Sequence, residues 1–211
     1  MSTIKTFVSF TTSNCYVVQP NPQIDICYVI DLPPDVEPAI EYIKSHNLSV
    51  GGYLLTHGHY DHALGAPKVD GNIYLNMDDE FLARNPQEQL SQFTNEELLI
   101  EKYKGPLLNI DTFDNDVVKV YKNPGHTKGS ISYEFIEVGI VFTGDFVFSE
   151  GIGRTDLFSG SYEEMKTSIN NVFLSFDKEL EVFPGHGDSD TVSNILNYND
   201  YLKEFIDDWW C

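Results

Sequence analysis

The chain has 211 residues, 41% hydrophobic and 13% aromatic, enough to bury a substantial core in one domain spanning 1–211. Its formal net charge is -20, from 33 acidic and 13 basic residues, which argues against a nucleic-acid surface and for a solvated acidic one. No run approaches the roughly 18 apolar residues of a membrane span. Met1 to Phe10 lacks the pattern of a secretion signal, and Cys15, Cys27 and Cys211 have no CxxC spacing, so free thiols in a reducing, cytoplasmic setting are expected.

Thr3 to Thr11, Cys15 to Gln19 and Ile26 to Asp31 read as strands, rich in β-branched and aromatic residues. Pro34 opens a segment with helical spacing at Val36, Ile40, Ile43 and Leu48. A strand is expected over Gly52 to Thr56, then helices over Asp78 to Arg84 and Asn95 to Tyr103 in a polar insertion, 85–106, to which no role attaches. Strands follow over Val117 to Tyr121, Ile131 to Phe135 and Ile140 to Thr143. Ser161 to Phe176 reads as an amphipathic helix with Tyr162, Met165, Ile169, Val172 and Phe173 on one stripe. Leu180 to Phe183 is a last strand and Val192 to Ile206 a last helix. Strands in both halves, with helices between and after them, predict an α/β architecture with helices packed on sheets. One feature repeats: a strand ends in Pro124-Gly125-His126 and a later one in Pro184-Gly185-His186.

The chain has six histidines, and His46 alone stands outside a motif. His57, His59 and His62 crowd with Asp61 at a strand-to-loop junction, and His126 and His186 follow the Pro-Gly turns. Zinc takes imidazole nitrogen and carboxylate oxygen in sets of three or four with an open position when catalytic. A carboxylate shared by two cations offsets their repulsion, and Asp145, after Thr143-Gly144, is the candidate for that role. Alone, Asp61 also reads as a helix N-cap and Asp145 as a turn residue. The assignment expected is His57, His59, His126 and Asp145 on one ion, and Asp61, His62, His186 and the shared Asp145 on the other. Two zinc ions are the expected cofactors, with iron or manganese compatible with the same donors. Asp61 and Asp145 are the expected catalytic carboxylates around a metal-bridging hydroxide.

The run His-x-His-x-Asp-His, followed by Pro-Gly-His-Thr, Thr-Gly-Asp and Pro-Gly-His-Gly, resembles the metallo-β-lactamase superfamily, and most of all its glyoxalase II-like branch of hydroxyacylglutathione hydrolases. The resemblance runs from about Thr3 to about Gly187, and TGDFVFSEGIGRTD, Thr143 to Asp156, resembles that branch in detail. It implies a four-layer αββα sandwich, support of the ligand loop by Asp31, and a two-metal thioester hydrolase acting on a small molecule.

The chain also departs from that branch. About 24 residues follow Gly187, so most of the C-terminal helical extension that helps bind glutathione is missing. Arg154 and Asp156 stand where those enzymes place a lysine and a tyrosine. Arg154 either holds a substrate carboxylate or is structural, paired with Asp156 or a backbone carbonyl. Leu32-Pro33-Pro34 replaces the usual glycine-containing turn after Asp31. Persulfide dioxygenases share the fold and often the Gly-Arg-Thr-Asp stretch, with one iron on two histidines and an aspartate. Glycines on both sides of His186 resemble the hydrolases instead. Flavodiiron proteins usually carry Glu where His59 stands.

Overall fold

The computed structural model describes residues 3–90, 100 and 102–206. It divides into two compact units, Met1–Asp114 and Asn115–Cys211. Among the described residues, no helix is long and apolar enough to cross a membrane.

The first unit holds a six-stranded sheet in sequential order. Its strands are β1 (Thr3–Val8), β2 (Asn14–Gln19), β3 (Ile26–Ile30), β4 (Ser49–Leu54), β5 (Ile73–Leu75) and β6 (Leu108–Asn109). The first three form an antiparallel meander. The next three each pair in parallel with the strand before. Parallel neighbours need a crossover, and helix α1 (Glu37–Ser45) supplies the one from β3 to β4. Its buried stripe is Val36, Ala39 and Ile43, packed with Cys15, Val17, Cys27 and Val29 from the sheet. Short helices follow: α2 (Tyr60–Ala63), α3 (Glu80–Arg84) and α4 (Pro86–Leu90). The helix expected over Asn95 to Tyr103 lies for the most part outside the described residues.

The second unit repeats that plan. Strands β7 (Val118–Lys122), β8 (Ile131–Phe135) and β9 (Ile140–Gly144) form an antiparallel meander. Helix α5 (Tyr162–Asn171) then leads to β10 (Glu181–Pro184), parallel to β9. A short β11 (Asp190–Thr191) closes the edge of this five-stranded sheet. Met165, Ile169 and Phe173 are fully buried against Val141 and Val182, each contributing about 1.5–3 kcal/mol by removal of apolar surface from water. Tyr162, expected on the same stripe, is 48% exposed.

Several boundaries differ from expectation for identifiable reasons. The strand expected to reach Thr56 ends at Leu54, because the Thr56 N–H donates to the Asp31 side chain instead of a neighbouring strand. The single helix expected over Val192 to Ile206 is two, α6 (Val192–Tyr198) and α7 (Asp200–Lys203). Asn199 breaks it: Oδ1 caps the Leu202 N–H at 3.0 Å, and Nδ2 donates to Phe148 O at 3.1 Å and Gly151 O at 2.9 Å. A buried side chain that caps a helix and satisfies two loop carbonyls leaves three polar groups stranded when truncated. Asn199→Ala should therefore lower stability by about 1–3 kcal/mol. A thermal melt superimposable on the parent's would contradict this.

Candidate metal centre

The first unit supplies one cluster. Asp31, the residue after β3, is 1% exposed and holds φ 61°, an uncommon conformation outside glycine. Its Oδ1 accepts the Thr56 N–H at 2.7 Å, and its Oδ2 accepts Thr56 Oγ1 and His62 Nδ1, each at 2.8 Å. Because the Thr56 hydroxyl donates to Asp31, it accepts from His57 Nδ1, 3.1 Å away. Both rings thus carry their proton on Nδ1 and turn the Nε2 lone pair the other way. His57 Nε2 lies 3.1 Å from His59 Nδ1, and His62 Nε2 lies 3.5 Å from Asp61 Oδ2. Asp61 sits inside α2, whose N-cap is His59, so the capping explanation for Asp61 falls away. The Leu32-Pro33-Pro34 turn is accommodated by Gly65, where a Cβ would come within 2.3 Å of Pro33 O.

The second unit supplies the other cluster. Gly125 holds φ 150°, and a Cβ there would sit 2.4 Å from Met165 Cα, so only glycine lets the turn before His126 lie against α5. His126 Nδ1 donates to the Arg154 carbonyl at 2.8 Å, again leaving a lone pair on Nε2. That Nε2 and the Nε2 of His186 each lie 3.5 Å from the same oxygen, Asp145 Oδ2. Asp145 follows β9 through Gly144 at φ 53°, and the 145–153 loop doubles back so closely that a Cβ on Gly153 would lie 1.8 Å from Asp145 O. Doubling back is what carries the Arg154 carbonyl to His126.

The Nε2 lone pairs of His62 and His126 face carboxylate oxygens, of Asp61 and Asp145 respectively, an arrangement that a cation stabilises. Bonds of about 2.0–2.2 Å at a tetrahedral ion set neighbouring ligand atoms about 3.3–3.6 Å apart. The three 3.5 Å contacts match that spacing, and the 3.1 Å pair lies just inside it. The donor set therefore fits a divalent metal. Groups of His and Asp side chains able to hold one occur among the described residues, and each of the seven expected residues belongs to such a group.

Arg154 does something the sequence did not foretell: its main-chain carbonyl orients His126. Its guanidinium forms a bidentate pair with Asp156, 2.9 Å on each arm, and holds that carboxyl below its usual range. Thr56 was likewise missed, although a hydroxyl residue directly before His57 was a readable cue. Cys15 and Cys27 are buried free thiols, and burial raises both, Cys27 to about 11. Cys211 lies outside the described residues. His46 caps α1, its Nδ1 2.8 Å from Tyr42 O.

The family model for the metallo-beta-lactamase superfamily matches residues 8–76 and 77–186. The chain belongs to that superfamily. Among its relatives is the hydroxyacylglutathione hydrolase GloC of Haemophilus influenzae, 31% identical over 83% of this chain and 86% of that protein. A hydroxyacylglutathione hydrolase of Shewanella oneidensis is 32% identical over 88% of this chain but only 66% of its own length. The crystal structure of the B3 metallo-beta-lactamase BLEG-1 superposes with a TM-score of 0.79 at 25% identity, covering 96% of this chain and 99% of the other. The α/β metallo-β-lactamase fold implied by the motifs is therefore the fold of this superfamily member.

Asp31 restrains one histidine directly and a second through Thr56. Asp31→Ala should weaken divalent-metal affinity about 10–100-fold, the usual effect of losing a ligand's outer hydrogen-bond partner. Competition with a chelating dye measures it, and unchanged affinity would contradict the arrangement.

Proposed function

We propose that the chain is a single-domain, metal-dependent hydrolase that takes two ions and whose substrate is a small-molecule thioester. The observation that carries this reading is the position of Asp145 Oδ2, equidistant from His126 and His186 at 3.5 Å. A carboxylate oxygen shared between two imidazoles from different motifs is what a bridge between two ions requires. In this reading His57, His59 and His126 hold one ion, Asp61, His62 and His186 the other, and Asp145 both. Zinc is the proposed ion, since the set is rich in imidazole, with iron and manganese the other ions such donors accept.

Bound divalent ions supply Lewis acidity and a water ionised near neutral pH. The chain's own residues do the rest. The Asp145 carboxylate would offset repulsion between the cations. Asp61 would accept a hydrogen bond from the attacking water and so orient it. A thiolate leaves readily, its conjugate acid having a pKa of about 8.5, so no strong general acid is called for. The hydroxyacylglutathione hydrolase relatives support a thioester over other acyl compounds. We further propose that Arg154, which spends two of its five N–H donors on Asp156, offers the others to a substrate carboxylate. Buried, unreactive Cys15 and Cys27 support the cytoplasmic reading.

Steady-state hydrolysis of one anionic and one neutral thioester, run beside an oxygen electrode with a persulfide substrate, tests this. Thioester turnover without oxygen uptake is expected. Arg154→Ala should raise KM for the anionic substrate about 10–100-fold with little change in kcat or in the neutral substrate. Oxygen uptake without thioester cleavage would overturn the hydrolase reading. Equal losses on both substrates with a lowered melting point would overturn the Arg154 role alone.

A further inference from the structure

The ligand loop is held from a second direction, by side chains the metal reading does not use. Gly58 lies between His57 and His59, and Tyr60 between His59 and Asp61. The Gly58 N–H donates to Asp79 Oδ2 at 2.9 Å. The Gly58 carbonyl accepts a longer bond from Gln89 Nε2 at 3.4 Å, while Gln89 Oε1 accepts the Tyr60 N–H at 3.0 Å. Gln89 Nε2 also donates to Leu82 O at 2.7 Å, which ties the amide to α3. Asp79 is fully buried and Gln89 is 6% exposed. The segment approaches so closely that a Cβ on Gly58 would lie 2.6 Å from Asp79 O and 2.8 Å from Leu82 Cβ.

We propose that Asp79 and Gln89 are positioning residues of the metal loop, fixing the peptide planes on either side of Gly58. This rests on the reading of the loop as a metal ligand set. His57 and His59 are two residues apart yet present different ring nitrogens, Nε2 and Nδ1, 3.1 Å from each other. That requires one particular main-chain path through residue 58, because a small rotation of either peptide swings the rings apart. Glycine admits many paths, so the path has to be imposed from outside. Apolar packing of α3 alone would bury the segment without selecting a peptide orientation. Two buried hydrogen-bonding side chains on one residue's N–H and C=O, and on the next free N–H, do select it. Asp79 and the start of the 85–106 insertion thus act on the metal loop through its backbone.

Cobalt(II) substitution of the full chain tests this, since its visible spectrum reports coordination geometry. Asp79→Ala and Gln89→Ala should alter the spectrum and weaken cobalt binding about 10–100-fold. Asp79→Asn, which keeps an acceptor oxygen for Gly58, should restore both toward the parent. Gln89→Glu keeps the acceptor for Tyr60 but loses the donor to Gly58 and Leu82, so it should shift the spectrum in a protein of unchanged volume. Ile73→Ala, a β5 core truncation whose side chain takes no part in these bonds, should lower the melting temperature with a parental cobalt spectrum. Parental spectra and affinities in folded Gln89→Ala and Gln89→Glu would overturn the positioning role and leave the metal reading intact. Failure of the parent chain to bind cobalt would overturn the metal reading and the positioning role with it.

Discussion

The carboxylate of Asp31 is the constraint on which the first cluster depends. It stands where β3 ends, at a positive φ that costs about 1–3 kcal/mol for a residue with a side chain. That conformation turns the carboxylate back toward the end of β4, where it replaces a strand partner for Thr56 and fixes His62. One side chain therefore ends a strand, sets a hydroxyl and sets two imidazole tautomers. A buried carboxylate is costly without such partners, and its three hydrogen bonds account for its persistence in an otherwise apolar layer.

The two units use one plan for different ends. Each contains a three-stranded antiparallel meander, a crossover helix and a parallel fourth strand. In each, an aspartate follows the third strand, Asp31 in the first and Asp145 in the second. A histidine follows the fourth, His57 and His186 respectively. The equivalent aspartates differ in what they face. Asp31 meets the Nδ1 side of a ring and orients it, whereas Asp145 meets the Nε2 side of two rings. The twice-used Pro-Gly-His signature is the trace of strand ends in the second unit, where glycine lets His126 lie against α5.

Much of this was legible because side chains advertise it. Ile131, Tyr133 and Phe135, β-branched or aromatic, located β8 to the residue, and the family followed from the His and Asp motifs together. What escaped was short or made of backbone. Strands β5, β6 and β11 have two or three residues, too few for a period to register. The break at Asn199 depends on loop carbonyls about 50 residues earlier, as the 3.1 and 2.9 Å bonds to Phe148 and Gly151 attest. The Arg154 carbonyl and the Asp79 and Gln89 contacts have no sequence signature, because each of them involves a main-chain atom. Of the two readings the sequence left open for Arg154, the pairing with Asp156 is the one its guanidinium forms.

The central claim is that seven side chains hold two ions with Asp145 common to both. Metal analysis of chelator-free parent, Asp61→Ala and Asp145→Ala proteins, reconstituted with zinc and dialysed together, addresses it most directly. The account predicts two ions per chain in the parent, close to one in Asp61→Ala, and loss of both in Asp145→Ala at zinc concentrations that saturate the parent. Two tightly held ions in Asp145→Ala, or a parent that holds a single iron and no zinc, would contradict it.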